Sequence, residues 1–80
     1  MTKEEIYERL QVVFREVFDD ESITVTDETT AKDIEDWDSL MHITLVSSVE
    51  SEFGIHFTMG EVSTMKNVGE MVAIIQERSR

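Results

Sequence analysis

The stretch Asp38-Ser39-Leu40-Met41-His42-Ile43-Thr44-Leu45-Val46-Ser47-Ser48-Val49-Glu50-Ser51-Glu52-Phe53-Gly54-Ile55 decides how the rest of the chain must fold. Its apolar side chains recur at helical spacing. Asp38 is a good N-cap at its head, and Gly54 is the natural residue just past its end. A helix is therefore predicted from Ser39 to about Glu52, with Ile55 folding back on Val49. At about 100° per residue, Leu45, Val46, Val49 and Phe53 share the core side. Leu40, Thr44, Ser47, Ser48 and Ser51 lie opposite, with Ile43 at a boundary. Ser39 then occupies the first helical position. Its hydroxyl projects into solvent, where another enzyme can reach and modify it. Backbone N–H groups at a helix start also suit a phosphate attached there. An isolated Asp-Ser pair is most often only a cap, so the weight falls on the rest of the chain.

Upstream, Thr2-Lys3-Glu4-Glu5 reads as a capping box. Ile6, Leu10, Val13, Phe14 and Val17 follow as one apolar stripe flanked by Tyr7 and Phe18, predicting a helix from about Lys3 to Phe18. Asp19 to Asp38 is a long connection, which in a compact domain is usually functional or hides short elements. Ile23 and Val25 alternate with Thr24 and Thr26 and read as an extended segment pinned to the core. Thr30 can cap a single turn holding Ala31 and Ile34. Downstream, Thr58-Met59-Gly60-Glu61 is a second capping box, opening a short helix with Val62 and Met65. Asn67-Val68-Gly69-Glu70 is a third cap of the same kind, opening a last helix that buries Val68, Met71, Val72 and Ile75. It frays toward Glu77-Arg78-Ser79-Arg80, where arginines suit a helix C-terminus. The expected architecture is all-α, a bundle of three main helices and one short one around a single core, with a long loop between the first two main helices. Residues 1–80 read as one domain.

The chain has 80 residues, no cysteine, no proline and a formal net charge of −11. Disulfides and thiolate metal sites are excluded. Nucleic acid is not expected as a partner, because phosphate binding needs basic patches. No apolar run is long enough to span a membrane and no signal-peptide pattern opens the chain, so membrane insertion is not expected and a soluble cytoplasmic protein is. From Asp19 to Asp38 nine acids face one base, Lys32, so that stretch carries −8 of the −11. Partners with basic docking surfaces fit such a charge. The acids do not follow the order of a calcium loop, so no metal is expected.

A self-contained enzyme is hard to find. Ser39 lacks the glycines of a nucleophile elbow. His42, three residues on, could approach Ser39, but the helical wheel places it among Leu45, Val49 and Phe53, as a histidine at the rim of the core. His56 has no evident partners, and two separated histidines do not make a zinc site. The five methionines read as core filler.

Asp38-Ser39-Leu40, then Leu45, Val49, Glu50 and Phe53-Gly54-Ile55, then Val68 and Ile75, resemble the acyl carrier protein family over nearly the whole chain. The resemblance implies a discrete, monomeric cytosolic carrier that is not itself a catalyst. In that family the serine of Asp-Ser-Leu, here Ser39 flanked by Asp38 and Leu40, is esterified with 4′-phosphopantetheine. A separate phosphopantetheinyl transferase makes the transfer from coenzyme A. The arm's thiol holds an acyl group as a thioester, and loading and processing enzymes of ligase, acyltransferase and ketosynthase type act on it. It also supplies the thiol that this cysteine-free chain lacks.

Two features depart from the fatty-acid-synthesis pattern. The second helix exposes mainly Thr44, Ser47, Ser48 and Ser51, with Glu50 as its main acid, and Trp37 precedes the motif where a less bulky residue is usual. Trp37-Asp38-Ser39-Leu40-Met41-His42 looks more like carriers of specialised, polyketide-like pathways. Asp36, Trp37, Leu40, Ile43, Thr44, Ser47 and Glu50 are the expected docking residues, with Asp33, Glu35 and Asp36 steering basic partners. Trp37 either lines the route of the arm or simply packs under the loop. The alternatives are fatty acid biosynthesis, an aminoacyl or peptidyl carrier, and an unmodified acidic interaction domain in which Ser39 is an ordinary cap.

Overall fold

In a computed structural model that describes residues 1–79, the helices are α1 Lys3–Val17, α2 Ser39–Phe53, α3 Met59–Thr64 and α4 Val68–Arg78. The described residues contain no strand, as the all-α reading expects. Arg80, expected beside Arg78 at the end of the last helix, lies outside the described residues.

Each main helix begins where a side-chain oxygen can take an unpaired N–H. Thr2 and Glu5 form the expected capping box on α1, Asp38 caps α2, and Asn67 caps α4 by accepting from the Glu70 N–H. The α4 cap is one-sided: the reciprocal bond from Glu70 that a full box needs is not among its contacts. Instead the first two amides of α4, Val68 and Gly69, donate to the Thr29 and Asp27 carbonyls of the long loop, at 2.8 and 3.0 Å. These N–H groups are orphans of any helix start, and here the loop supplies their acceptors.

Helix α1 ends one residue earlier than expected, with Phe18 as its C-cap. Asp19 follows at φ 51°. The Asp19 and Asp20 amides bond back to Glu16 and Arg15 at 3.4 and 3.0 Å. That is a Schellman ending with aspartate in the left-handed place where glycine is usual. Helix α2 ends with the expected glycine, Gly54 at φ 65°.

The core joins Ile6, Leu10 and Phe14 of α1, Leu45 and Val49 of α2, and Val68, Met71, Val72 and Ile75 of α4, all essentially fully buried. Burying each such side chain contributes about 1.5–3 kcal/mol. Ile23, Val25 and Ile34 of the long loop are buried with them, as is Ile55, which joins Val49 in the core. Three expectations need correction. Val17 of the α1 stripe is only half-buried, and Ala31 is exposed, so Ile34 alone anchors that turn. Val46 is buried but stands outside the main core cluster, because it faces a groove between α2 and α3.

The loop is fastened at its middle. Lys3 donates to Asp27 at 2.7 Å, and the Tyr7 hydroxyl donates to the other carboxylate oxygen. Lys3 and Tyr7 together hold the Asp27 carboxyl below its usual range. Burial, with Asp27 beside it, pushes the Tyr7 phenol upward. Arg9 crosses from α1 to the end of α2, bonding the Glu52 carboxylate and carbonyl at 2.8 and 2.6 Å with its guanidinium 4.9 Å from the Phe53 ring centre.

Candidate functional site at the head of α2

The loop turns sharply before α2. The Trp37 amide bonds to the Ile34 carbonyl at 3.1 Å, and the Asp38 amide to the Asp36 carbonyl at 3.1 Å, the latter a three-residue turn. Asp38 is thereby extended, at φ −112° and ψ −173°. Its carboxylate accepts from the Met41 amide at 2.8 Å, and its carbonyl from the His42 amide at 2.9 Å. Ser39 is left at the first helical position, exposed, as expected. Among the described residues the Ser39 and Leu40 amides have no backbone or side-chain acceptor.

These two free donors matter for a phosphate. Helices α1, α3 and α4 each carry their own acid in the first turn, namely Glu4 and Glu5, Glu61, and Glu70. Helix α2 carries none. Its positive end is complemented only by the Asp38 cap, so a phosphoester on Ser39 Oγ meets open N–H donors and no carboxylate within the helix turn. The residues present fit such a group.

Trp37 packs under the loop, one of the two readings left open above. Its ring meets Phe14 edge-on at 5.4 Å, lies 6.1 Å from Phe18, and stacks on His42 at 5.8 Å. It also lines a groove of about 760 Å³ that opens beside Ser39. The other walls are Ile43, Val46, Phe57, Met59, Val62, Met65 and Met71, with His42, Glu50, Ser63, Lys66 and Asn67 as the main polar lining. Sequence periodicity missed this groove. It exists only because α3 stands off from α2, and no residue of α3 is buried.

His42 is half-buried at the core rim, as its wheel position implied. Its Nδ1 accepts from the Trp37 indole at 3.1 Å, and its Nε2 lies 3.1 Å from the Val62 carbonyl. Both nitrogens are occupied away from Ser39, so no Ser–His dyad forms.

The expected docking residues divide. Leu40 and Ile43 are 73% and 64% exposed. Thr44, Ser47 and Asp36 are exposed, and Ser48 is half-buried. Met59 on α3, read from the sequence as core filler with the other methionines, is instead 87% exposed on the groove's far rim, because no residue of α3 is buried. Glu50 departs from expectation. It is turned inward, accepting the Phe57 amide at 2.8 Å, with His56 Nδ1 at 3.8 Å. It braces the α2–α3 connection because the Phe57 N–H has no helical acceptor of its own. His56, expected to lack partners, makes this contact while itself almost fully exposed.

Among the loop acids, Asp33 accepts from the Thr30 amide at 2.9 Å and Asp20 from the Ser22 amide and hydroxyl at 2.9 and 2.6 Å. The Ser22 hydroxyl and amide hold the Asp20 carboxyl below its usual range. Glu35 and Asp36 remain exposed beside the site. No group of carboxylates and histidines able to hold a metal occurs among the described residues, and no helix there is long and apolar enough to cross a membrane.

A sequence model of the family described as "phosphopantetheine attachment site" matches residues 8–75. The chain is similar to holo acyl carrier protein from Geobacter metallireducens. It matches that protein's solution NMR structure at 43% identity and a TM-score of 0.84, over 90% of this chain and 83% of that one. Among curated proteins no sequence matches.

Proposed function

The chain belongs to the phosphopantetheine-attachment family and is a carrier, not a catalyst, and on that premise we propose that Ser39 is the residue that takes the arm. Residues 1–80 are read as one carrier domain. Ser39 is the only hydroxyl-bearing residue at the first position of a described helix. The hydroxyls of Ser22, Ser63 and Ser79 already bond to Asp20, Met59 and Ile75, while Ser47, Ser48 and Ser51 lie within α2 away from its start. That elimination, with the two free amides beside Ser39, carries the assignment.

A phosphopantetheinyl transferase esterifies the Ser39 hydroxyl with the phosphopantetheine half of coenzyme A, and the nucleotide half leaves. When attached, the arm supplies the thiol that forms a thioester with cargo. The residues of this chain do the rest. Asp38 holds the helix start in place, Trp37 anchors that start to α1, and Leu40 presents an apolar contact beside the junction.

An apolar groove next to the attachment point supports acyl cargo over aminoacyl cargo. The hydroxyl-rich outward face of α2, with Glu50 turned inward, supports a specialised pathway over housekeeping fatty acid synthesis. The protein is read as a cytoplasmic monomer handled by loading and processing enzymes. The experiment is intact mass after incubation with coenzyme A and a broad-specificity transferase. Wild type gains one phosphopantetheine and Ser39→Ala, correctly folded, gains none. A modified Ser39→Ala protein, or an unmodified wild type, overturns the assignment. Loading assays with acyl-activating and aminoacyl-activating enzymes decide the cargo class.

A further inference from the structure

Ser39 is bracketed by two side chains that bond to each other across it. With Asp38 as the N-cap of α2, Trp37 stands just before the cap and His42 is the fourth residue of the helix. Apolar side chains at these two places often pack together and fix the angle at which a chain enters its helix. Here the contact is a hydrogen bond. The Trp37 indole N–H donates to His42 Nδ1 at 3.1 Å, with the two rings stacked at 5.8 Å. The corresponding pairs at the other helix starts are Met1 and Ile6, Phe57 and Val62, and Lys66 and Met71. Among the described residues none of these pairs shares a side-chain hydrogen bond, so the device is particular to the helix that begins with Ser39.

Both ends of that bond are themselves fixed. An indole N–H only donates, so His42 Nδ1 accepts, and the ring proton sits on Nε2, 3.1 Å from the Val62 carbonyl. The Trp37 ring is held against α1 by Phe14 and Phe18, at 5.4 and 6.1 Å. The turn between Trp37 and His42 has few other restraints. The Asp38 carboxylate takes the Met41 amide at 2.8 Å, and the Ser39 and Leu40 amides have no acceptor among the described residues. A helix start held so lightly frays unless its entry is pinned.

We propose that the Trp37–His42 hydrogen bond is a staple across Ser39, and that both are positioning residues that hold the Ser39 hydroxyl in line for phosphopantetheine transfer. In that transfer Ser39 Oγ bonds to the phosphorus next to pantetheine, the pyrophosphate P–O bond breaks, the nucleotide leaves, and the serine proton passes to a base on the transferase. Both His42 nitrogens are engaged away from Ser39, so His42 is not that base. The pair acts on where Oγ stands, and a small misplacement of a nucleophile costs rate. The transfer half of the proposal rests on Ser39 taking the arm; the staple does not.

The test measures transfer from coenzyme A by a broad-specificity transferase, alongside the indole and imidazole signals of nitrogen-15-labelled full-length protein. Trp37→Phe keeps a ring on Phe14 and Phe18 and deletes the donor; His42→Leu deletes the acceptor. In wild type His42 is the Nε2–H tautomer, and the indole N–H exchanges more slowly than in His42→Leu. Each variant lowers kcat about three- to tenfold, the worth of one net hydrogen bond, with KM changed by less than about twofold because Leu40 and Ile43 remain for docking. The double variant is no slower than the slower single one, since the two side chains act as a unit. An Nδ1–H tautomer, wild-type kcat in Trp37→Phe at a lowered melting temperature, or losses that multiply in the double variant overturns the proposal. If His42→Leu does not fold, the wild-type tautomer and Trp37→Phe decide. If wild type gains no phosphopantetheine, the Ser39 assignment falls, and exchange of the Met41 and His42 amides decides the staple: faster exchange in Trp37→Phe supports it, and the wild-type rate overturns it.

Discussion

Gly69 donates its backbone N–H to the Asp27 carbonyl at 3.0 Å, and a Cβ added to Gly69 would stand 2.8 Å from that same oxygen. The obstacle is backbone, with the Asp27 Cα also at 3.2 Å, so no side-chain rotation relieves it. Gly69→Ala should push the middle of the long loop off α4 and cost about 1–3 kcal/mol, the usual range for overpacking. Urea unfolding measures it, and a variant as stable as wild type would show that the loop yields freely.

Asp19 sits at φ 51° without being glycine. Left-handed backbone costs an ordinary L-residue roughly 1–2 kcal/mol, and aspartate somewhat less. Asp19→Gly should therefore raise stability by about 0.5–1 kcal/mol, with part of the gain offset by the greater freedom of glycine in the unfolded chain. It also removes one negative charge from the crowded acidic segment, which acts in the same direction. A lower denaturation midpoint would contradict the Schellman assignment.

Arg78, followed by the Thr58 amide, holds the Glu61 carboxyl down to about 2, from an ordinary value of 4.5. A depressed carboxylate stabilises the fold above its unfolded value and loses that contribution as pH falls through its folded value. The Arg78–Glu61 fastening at the N-terminal end of α3 should thus be intact at neutral pH and weaken progressively from about pH 4.5 to about pH 2. Asp27, lowered by Lys3 and Tyr7, and Asp20, lowered by Ser22, act in the same direction at the loop. Amide signals of α3 followed through an acid titration should show the transition in wild type, and Glu61→Gln should abolish the Glu61 part of it. If wild type and Glu61→Gln titrate identically in α3, the ion pair is not what holds that end of the helix.

Docking should separate into long-range and short-range parts. Glu35 and Asp36 are exposed beside Ser39, so Glu35→Gln/Asp36→Asn should slow association with a transferase or loading enzyme, most strongly at low salt. Asp33 is a poorer probe than the sequence implied, because its carboxylate holds the Thr30 amide. Leu40→Ala should speed dissociation with little salt dependence. Glu50 is engaged with Phe57, so Glu50→Gln should have the smaller effect on association. Stopped-flow binding across a salt series measures all three. A larger effect of Glu50→Gln than of the double variant would restore α2 as the electrostatic platform.

What was legible in the sequence was local. Thr2, Asp38, Thr58 and Asn67 announce helix starts because capping depends on residues only three apart, and Gly54 announces an end because few other residues adopt its backbone. The Asp38-Ser39-Leu40 motif is legible for the same reason. The end of α1 was blurred because aspartate, not glycine, takes the left-handed position. Glu50 was misjudged because a helical wheel knows nothing of the Phe57 amide seven residues on. The groove and the His42–Val62 contact, twenty residues apart, were invisible because they arise from how α3 leans on α2, which no periodicity encodes. The clamp of Gly69 on Asp27 is a matter of backbone clearance and left no pattern at all.

Trp37 is the only tryptophan in the chain, and its ring rests on His42, Phe14 and Phe18 at once. The protein therefore carries a single indole fluorophore, placed two residues from the proposed attachment point and set in the wall of the groove. Its emission needs no dye and has no competing indole. Attachment of an arm at Ser39, or a guest in the groove, would alter the surroundings of that one ring, so either event should be readable optically in the unlabelled protein.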